Sequence, residues 1–417
     1  LGFANWWRAA RPGAEVVVLE ADAEPGGYCK TVVADGFVWD YSGHFFHFAD
    51  PSIEAWLRAR LAGHALHTVA RRAQIRFAGR DIDYPFQKHI HQLPLDDFLT
   101  CLVDLFEAAR QPAVAPTSFA DMLARRFGAG IVDRFLRPYN EKLYATPLER
   151  LDVDAMGRFF PRADLADIIA NLRPGARGDG GYNATFLYPA GGAIEIVRAL
   201  VRGLPAGAVR CATPALAIDR ARRQVITPAG PIAYERVVSS APLPQLARLA
   251  GEPHAAGAFS ANRVLVWNLG FDRKGARDVH WMYFPDPARV FYRVGWYDNL
   301  LPPAPGAPER MSLYVEVGAP SDGAPIDEPA LRARVLADLR AEGIVTDHQL
   351  VAHHHVVLDP AYVHITRASI AETARLRAAL AADGIHSVGR YGGWTYCSIE
   401  DNLIETRALA ASLGPLL

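Results

Sequence analysis

Two groups of side chains in this sequence have types and surroundings that suit a nucleotide ligand. The first group is aromatic and consists of Tyr84-Pro85-Phe86-Gln87 and, much later in the chain, Tyr283-Phe284. Aromatic faces can sandwich a planar base, and the amide of Gln87 can recognise an amide-like edge of that base. The alternative is that these aromatic residues simply pack in the hydrophobic core. The residue types alone favour this alternative.

The second group consists of two arginines among aromatic residues. Arg293 ends the run Phe291-Tyr292-Arg293 within a predicted strand, and Arg158 lies between Gly157 and Phe159-Phe160. An unpaired guanidinium in such surroundings is costly, and neither arginine has an acid beside it in the sequence. The pair therefore predicts a doubly charged ligand such as a diphosphate. Two structural ion pairs with acids distant in the sequence are the equal alternative.

An acidic residue near the start of the chain has the position of a ribose ligand. The run at residues 16–19 is β-branched and apolar, as in a buried parallel strand, and Glu20 follows it directly. A carboxylate there can accept hydrogen bonds from the ribose of an adenine dinucleotide, although strand ends often carry solvated acids. Gly2, in a predicted helix over residues 1–10, lets helix and strand approach closely. We expect a β-strand and a G-x-G-x-x-G phosphate loop immediately upstream of Leu1.

Other chemistries find little support. His353-His354-His355 alternates between the faces of a strand with no carboxylate at ligand spacing, so no metal site is predicted. Ser239-Ser240 lacks the G-x-S-x-G elbow of a serine hydrolase. A net charge of −1 on 417 residues argues against a nucleic-acid surface or a polybasic membrane patch. Four scattered cysteines and no apolar run of membrane-spanning length favour a reducing, cytoplasmic location.

Strands and helices must both contribute to positioning these groups, which predicts an α/β fold. Residues 31–47 alternate between strand and loop, 74–84 form a hairpin that turns at Gly79-Arg80, and 93–174 are mostly helical with Ser118 as an N-cap. Further strands or helices are predicted at 209–247, 263–270, 279–284, 290–297, 311–317, 331–342, 370–383, 385–389 and from Ser398 onward.

These stretches resemble a known family at two levels. Glu20 with Gly26-Gly27-Tyr28-Cys29-Lys30-Thr31, the stretch 237–246 and the Gly389-Arg390 turn resemble the FAD-binding fold of amine-oxidase-type flavoproteins. A narrower resemblance is to UDP-galactopyranose mutase, most of all its eukaryotic form, and spans nearly the whole chain. The motifs that carry it lie at residues 84–87, 137–147, 182–186, 291–293 and 390–396.

The resemblance implies a discontinuous, Rossmann-like FAD-binding domain with a helical insertion and an antiparallel-sheet substrate domain. The implied FAD-binding domain comprises residues 1–50, 190–255 and 384–417. The helical domain comprises 93–176, and the sheet domain comprises 67–92 and 256–383.

The same resemblance implies a role for individual residues. The catalytic group would be His44, beside the flavin N5, with Arg158 and Arg293 on the diphosphate. The family has a further tyrosine after Arg293, where a gapless alignment places Leu300, and Tyr297 is expected to replace it. The substrate-binding group would be Tyr84, Phe86, Gln87 and Tyr283 at the uracil, Asn140, Tyr144 and Trp281 along the nucleotide, Tyr297, Tyr362 and Tyr396 at the diphosphate, and Asn183 near the sugar. The cofactor-binding group would be Gly2, Glu20, Gly26, Gly27, Gly43, Arg390 and Ser398.

The implied activity is the interconversion of pyranose and furanose forms of a UDP-hexose, with UDP-galactose as the default substrate. In this family the reduced flavin N5 attacks the sugar C1, UDP leaves, and the flavin-bound sugar opens and recloses without net redox change. NAD(P)H or another reductant would keep FAD reduced, and an oligomer is allowed. The alternative is an FAD-dependent oxidoreductase of the amine or protoporphyrinogen oxidase type.

Overall fold

The computed structural model describes residues 1–160, 165–173, 184–300, 308–323 and 325–414. Two residues predicted to bind the substrate, the side chain of Arg158 and the whole of Asn183, lie outside the described residues. The described helices are α1 Gly2–Ala10, α2 Pro51–Arg60, α3 Leu95–Arg110, α4 Phe119–Ile131, α5 Arg137–Tyr144, α6 Leu165–Asn171, α7 Ile194–Arg202, α8 Leu243–Leu249, α9 Glu328–Ala341, α10 Arg367–Ala381, α11 Gly389–Gly392 and α12 Ile399–Ser412.

Most strands have two to five residues, and three strands in the second half of the chain have nine or ten. They are β1 Val18–Leu19, β2 Thr31–Ala34, β3 Phe37–Asp40, β4 Leu66–Ala70, β5 Ala73–Phe77, β6 Arg80–Asp83, β7 Thr185–Pro189, β8 Val209–Arg210, β9 Ala217–Asp219, β10 Gln224–Thr227, β11 Gly230–Ala233, β12 Val237–Ser239, β13 Asn262–Phe271, β14 Trp281–Tyr283, β15 Arg293–Trp296, β16 Ser312–Pro320, β17 Leu350–Leu358 and β18 Ile385–Ser387. The predicted α/β class is confirmed.

A mixed sheet of seven strands forms the centre, in the order β17-β13-β16-β15-β14-β5-β6. Adjacent strands within this sheet are antiparallel, except for β14 and β5, which are parallel to each other. Strand β13 shows why the sheet is buried on both faces. Val264 and Val266 pack on one side with the helical segment, while Leu265 and Trp267 pack on the other side with α9. Successive side chains of a strand point to opposite faces, so both faces are covered by helices.

Two pairs of parallel strands lie outside this sheet. Strand β1 pairs with β8, and β12 pairs with β18. The predicted strand before Glu20 is therefore present, although only Val18–Leu19 have strand pairing. A parallel pair needs a crossover connection, and α7 lies in the connection that leads from β1 toward β8. Among the described residues, no helix combines the length and apolarity needed to cross a bilayer.

Local signals in the sequence predict several of these boundaries correctly. The side chain of Ser118 accepts a hydrogen bond from the backbone N–H of Asp121 and begins α4. Ser398 caps α12 in a reciprocal capping box with Asp401. The predicted hairpin is the β5–β6 pair, but its turn lies at Ala78 and Gly79, both with positive φ, and not at Gly79-Arg80, because Arg80 pairs with Phe77 in the strand register. Ser398, the cap of α12, also lies in the wall of the cavity described next.

Candidate functional site

A cavity of about 270 Å³ lies where the central sheet, α5, the segment after β3 and the turn before α12 meet. Its walls come from positions that are far apart in the sequence. The sequence-predicted residues that line it are Gly43, His44, Tyr84, Gln87, Asn140, Trp281, Tyr283, Arg293, Tyr362, Arg390, Tyr396 and Ser398. The fold thus brings most of the predicted substrate residues and part of the predicted cofactor residues into one space.

Aromatic side chains form one wall of this cavity. Trp281 and Tyr283 are two residues apart on β14 and therefore point to the same face of the sheet. The indole Nε1 of Trp281 donates a hydrogen bond of 2.8 Å to the hydroxyl of Tyr283. The ring centroids of Tyr84 and Tyr283 are 5.4 Å apart, and Tyr139 meets Tyr283 edge-on at 5.1 Å. These rings, with Gln87 beside them, can hold a planar heterocycle.

Three of the predicted substrate residues support the wall rather than line it. Phe86 is fully buried and stacks on Phe135 at 4.9 Å. The hydroxyl of Tyr144 donates to the carbonyl of Ala155 at 3.3 Å. The hydroxyl of Tyr297 donates to the backbone carbonyl of Asp40 at 3.1 Å. Each of these three side chains contacts the protein behind the cavity, and we infer that each stabilises the wall.

The side chain of Asn140 borders the cavity and has a buried acceptor without a partner among the described residues. A π-helical turn over Val132–Leu136 precedes α5, which carries Asn140. The amide Nδ2 donates to the carbonyl of Leu136 at 2.6 Å, which fixes the orientation of the amide. Its Oδ1 is buried and has no hydrogen-bond partner among the described residues. A buried acceptor without a partner is costly, so a donor on a ligand would relieve it.

Arg293 has a buried carboxylate partner. It lies directly opposite Glu316 in the β15–β16 register, and its Nη2 forms an ion pair with Glu316 Oε1. The hydroxyl of Ser42 donates to the same oxygen, and Arg293 Nη2 also lies 3.3 Å from Ser42 Oγ. The structural ion pair that the sequence left open is therefore realised, and Arg293 is not an arginine without an acid.

The charge of Arg293 is fixed by this partner. Burial alone would lower the pKa of the Arg293 guanidinium, but Glu316 and then neighbouring tyrosines raise that pKa well above its ordinary value. Arg293 Nε and Glu316 Oε2 are both buried without a partner among the described residues. The pair is nearly neutral as a unit, so Arg293 offers the cavity a directed donor more than a net positive charge.

His44 is a neutral imidazole at the same end of the cavity. Its Nδ1 lies 3.1 Å from the carbonyl of Ser42, which can only accept, so Nδ1 carries the proton. Burial and then the nearby Arg390 lower the pKa of His44 to about 4. The other nitrogen, Nε2, is therefore an acceptor at neutral pH.

Arg390 brings a second guanidinium to the cavity, whose lining also includes the buried carboxylate of Glu400. Its Nε and Nη2 donate to the carbonyl of Cys397 at 3.2 and 2.7 Å, and its guanidinium lies 4.8 Å from the ring centre of Tyr396. No carboxylate pairs with it among the described residues. The N-terminus of α12, capped by Ser398, borders the same space. A buried cation and a helix N-terminus together favour an electron-rich ligand group.

The remaining predicted cofactor residues lie outside the cavity. Glu20 follows β1, and its Oε1 accepts from the backbone N–H of Asp22 at 2.9 Å. Gly26 and Gly27 both have positive φ, as a tight turn requires. A Cβ added to Gly2 would lie 3.0 Å from Thr406 Oγ1, so this glycine allows α1 to pack closely against α12.

Sequence reasoning missed several residues around the cavity. Tyr139 lines the cavity and was part of a motif singled out at 137–147, so its position next to Asn140 was a usable signal. Phe45, which stacks on Trp281 at 4.9 Å, follows the predicted Gly43-His44. Glu316 and Ser42 had no local signal, because their roles depend on which strands and loops become neighbours.

Comparisons with known proteins fit this fold. The family model for flavin-containing amine oxidoreductases matches residues 9–401. Among solved structures, a reduced UDP-galactopyranose mutase is similar over 98% of this chain and 92% of that chain, with TM-score 0.89 and 23% identity. A protein from Exiguobacterium sp. 255-15, described provisionally as a protoporphyrinogen oxidase, covers 99% and 95% with TM-score 0.77 and 17% identity. A putrescine oxidase bound to putrescine covers 98% and 95% with TM-score 0.66 and 16% identity.

Proposed function

Because the chain belongs to the family of flavin-containing amine oxidoreductases, we propose that it uses this fold as a flavin-dependent nucleotide-sugar mutase. The substrate would be a UDP-hexose, with UDP-galactose as the first candidate, whose pyranose and furanose forms are interconverted. One observation carries the proposal: a single cavity combines an aromatic wall, an amide acceptor without a partner and the two guanidinium groups of Arg293 and Arg390. An oxidase that acts on small amines would not need a cavity with separate groups for a base and a diphosphate.

The residues around the charged end fit a flavin. Arg390, without a carboxylate partner among the described residues, and the N-terminus of α12 suit the electron-rich edge of an isoalloxazine ring. We propose that Gly43 and His44 lie along the ring, with Arg390 and Ser398 at its edge and Glu20 at the ribose. We take the cofactor to be FAD in its reduced form. Reduced flavin would supply a nucleophile that is regenerated in each turnover, so the isomerisation needs no net redox change.

The protein side chains would bind and orient the substrate. Tyr84 and Tyr283 would enclose the uracil with Gln87 at its edge, and Oδ1 of Asn140 would accept from a nucleotide donor. The diphosphate would meet the directed donors of Arg293 while Arg390 balances its charge. Neutral His44 would accept a hydrogen bond through Nε2. Roles for Arg158 and Asn183, near the diphosphate and the sugar, remain proposals from the sequence.

The decisive experiment is turnover of UDP-galactofuranose by the FAD-loaded protein after reduction with dithionite. The expected product is UDP-galactopyranose, separated by chromatography, with no turnover by the oxidised protein. The variant Arg293→Ala should lose turnover while the flavin spectrum remains. The matched control Arg58→Ala removes an exposed arginine of α2 and should leave turnover unchanged. Absence of turnover by a reduced, flavin-loaded protein that binds UDP would exclude this substrate.

The second candidate is a flavin-dependent oxidase of the protoporphyrinogen or amine oxidase type. It is favoured by the similarity to the Exiguobacterium protein and by the ion pair with Glu316, which removes much of the net charge of Arg293. Such an enzyme would transfer two electrons from an apolar substrate to oxidised flavin, and dioxygen would then reoxidise the flavin and leave as hydrogen peroxide. Saturating UDP would then give no rise in the thermal unfolding temperature, whereas the mutase proposal requires a rise.

A further inference from the structure

Lys142 joins α5 to the loop that connects β14 with β15. We call residues 284–292 the β14–β15 loop, and the strands on either side of it carry Tyr283 and Arg293. The ammonium nitrogen of Lys142 donates to three backbone carbonyls of this loop, those of Phe284, Asp286 and Phe291, at 2.8, 2.9 and 2.5 Å. An ammonium group has three N–H donors, so these carbonyls satisfy all of them.

Tyr139 provides a second contact between α5 and the same two strands. Tyr139 and Lys142 are three residues apart and therefore lie on the same side of the helix. The ring of Tyr139 meets Tyr283 edge-on at 5.1 Å and Tyr292 edge-on at 6.2 Å. Asn140, the next residue of α5, borders the cavity. The separation of α5 from the two strands therefore decides how far Asn140 lies from the aromatic wall.

Helix α9 also holds the β14–β15 loop, independently of Lys142. The backbone N–H of Val290 donates to Asp338 Oδ2 at 2.8 Å, and Nη2 of Arg334 donates to the carbonyl of Ala288 at 2.7 Å. Because these contacts do not involve α5, removal of Lys142 leaves the loop attached to the protein. We therefore expect such a change to shift the loop rather than to unfold the chain.

The three hydrogen bonds depend on the charged form of Lys142. A carbonyl oxygen can only accept, and a neutral amine has two N–H donors for three carbonyls. Burial lowers the pKa of Lys142 to about 7, while Asp286 of the loop and Asp338 of α9 oppose this shift and Arg289 of the loop adds to it. The set of bonds is therefore complete below this pH and incomplete above it.

We propose that Lys142 is a positioning residue for the nucleotide, which holds the β14–β15 loop against α5 and so fixes the aromatic wall relative to Asn140. The inference rests on the proposed function, because the wall binds a base only in that function. Lys142 is not among the described residues that line the cavity. It would therefore act through Tyr283 and Asn140 and not by touching the ligand.

The test compares the flavin-loaded protein with its Lys142→Met variant at about pH 6, where the ammonium form predominates. Methionine fills much of the same space but donates nothing to the carbonyls. We expect UDP to bind about tenfold more weakly in titration calorimetry, because hydrogen bonds from a charged donor are lost. Amide hydrogen exchange of residues 284–292, followed by mass spectrometry, should be at least about tenfold faster. The control Lys274→Met, at an exposed lysine that donates to the carbonyl of Asp298 at 3.3 Å, should change neither quantity.

The pH dependence separates the ammonium group from the packing of its methylene groups. At about pH 8 the neutral amine predominates, so the UDP dissociation constants of the two proteins should differ less than at about pH 6. A ratio of dissociation constants that is equal at both pH values would overturn the proposal, because packing alone would then explain the effect. If Lys142→Met does not fold, loop exchange in the unmodified protein, corrected for the intrinsic rate, takes its place. That exchange should be faster at about pH 8 than at about pH 6, and equal rates would overturn the proposal.

The remaining outcomes distinguish this inference from the proposed function. Unchanged loop exchange in Lys142→Met would overturn the role of Lys142, as would faster exchange with unchanged UDP affinity. An unmodified protein that does not bind UDP would instead contradict the proposed function. Loop exchange would then still decide whether Lys142 holds the β14–β15 loop, because that measurement uses no nucleotide.

Discussion

Removal of Glu316 tests how much this carboxylate stabilises the folded protein by pairing with the largely buried Arg293. The side chain of Glu316 is 1% exposed and that of Arg293 is 16% exposed, so the ion pair is largely out of water. Removing one partner of a buried pair costs about 3–5 kcal/mol, because the other charge is left uncompensated. Arg293 also borders the cavity, where water can reach it, so we expect the lower end, about 3 kcal/mol, for Glu316→Ala. At about 2 °C per kcal/mol, the unfolding temperature should fall by about 6 °C.

A double-mutant cycle isolates the ion pair from the space that the side chain fills. Glu316→Leu and Arg293→Met replace the charges with apolar groups, singly and together, and unfolding is followed by tryptophan fluorescence in urea. The double variant should be at least about 2 kcal/mol more stable than the sum of the two single effects predicts. Strictly additive effects would refute the ion-pair argument, as would a stability of Glu316→Leu equal to that of the unmodified protein.

An exposed pair provides the matched control for this cycle. Glu54 and Arg58 form an i,i+4 pair on α2, in which Arg58 Nε lies 2.7 Å from Glu54 Oε1. The side chain of Arg58 is 42% exposed and that of Glu54 is 34% exposed. Their interaction should contribute less than about 0.5 kcal/mol. If the coupling energy of this exposed pair equalled that of the Arg293–Glu316 pair, burial would not be the cause of the large coupling energy.

Three further predictions follow from single positions. Tyr84→Ala should weaken UDP binding by about 1–3 kcal/mol in titration calorimetry, because one stacking face is lost, while the flavin spectrum is kept. Lowering of the His44 pKa from 6.5 to about 4 means that the unfolded chain takes up a proton before the folded one. Stability should therefore fall by about 3 kcal/mol as the pH falls from about 6.5 to about 4, and His44→Asn should reduce that slope in urea unfolding. Gly295→Ala would place a Cβ 1.9 Å from the ring of Tyr314, so we expect little folded protein on expression, and a normal yield would contradict this contact.

The aromatic motif shows how far the sequence can predict the site. The residue types of Tyr84-Pro85-Phe86-Gln87 suit the binding of a base, and Tyr84 and Gln87 do line the cavity. A tight turn over Phe86–Lys88 then rotates Phe86 away, so that it packs in the core. Residue types identify the segment, but only the backbone of this turn decides which side chains face the ligand.

Glu316 shows what the sequence could not provide. Its partner Arg293 is separated from it by a whole loop, and nothing in either motif indicates that β15 and β16 are neighbours. The pairing follows from the strand register, in which a shift of one residue would turn Glu316 to the other face. Cap residues such as Ser118 and Ser398 were predictable because a cap involves only the next few residues.

The order in which the cavity walls leave the ribosome has a consequence for biosynthesis. Gly43 is translated long before Ser398, and β5 must wait for β14, its parallel neighbour. Chains fold from the N-terminus as they are made, but here no nascent segment contains the complete binding cavity. A nucleotide or cofactor that contacts both ends of this wall can therefore rescue a destabilised variant only after Ser398 has been translated, and it cannot protect products that terminate before that residue.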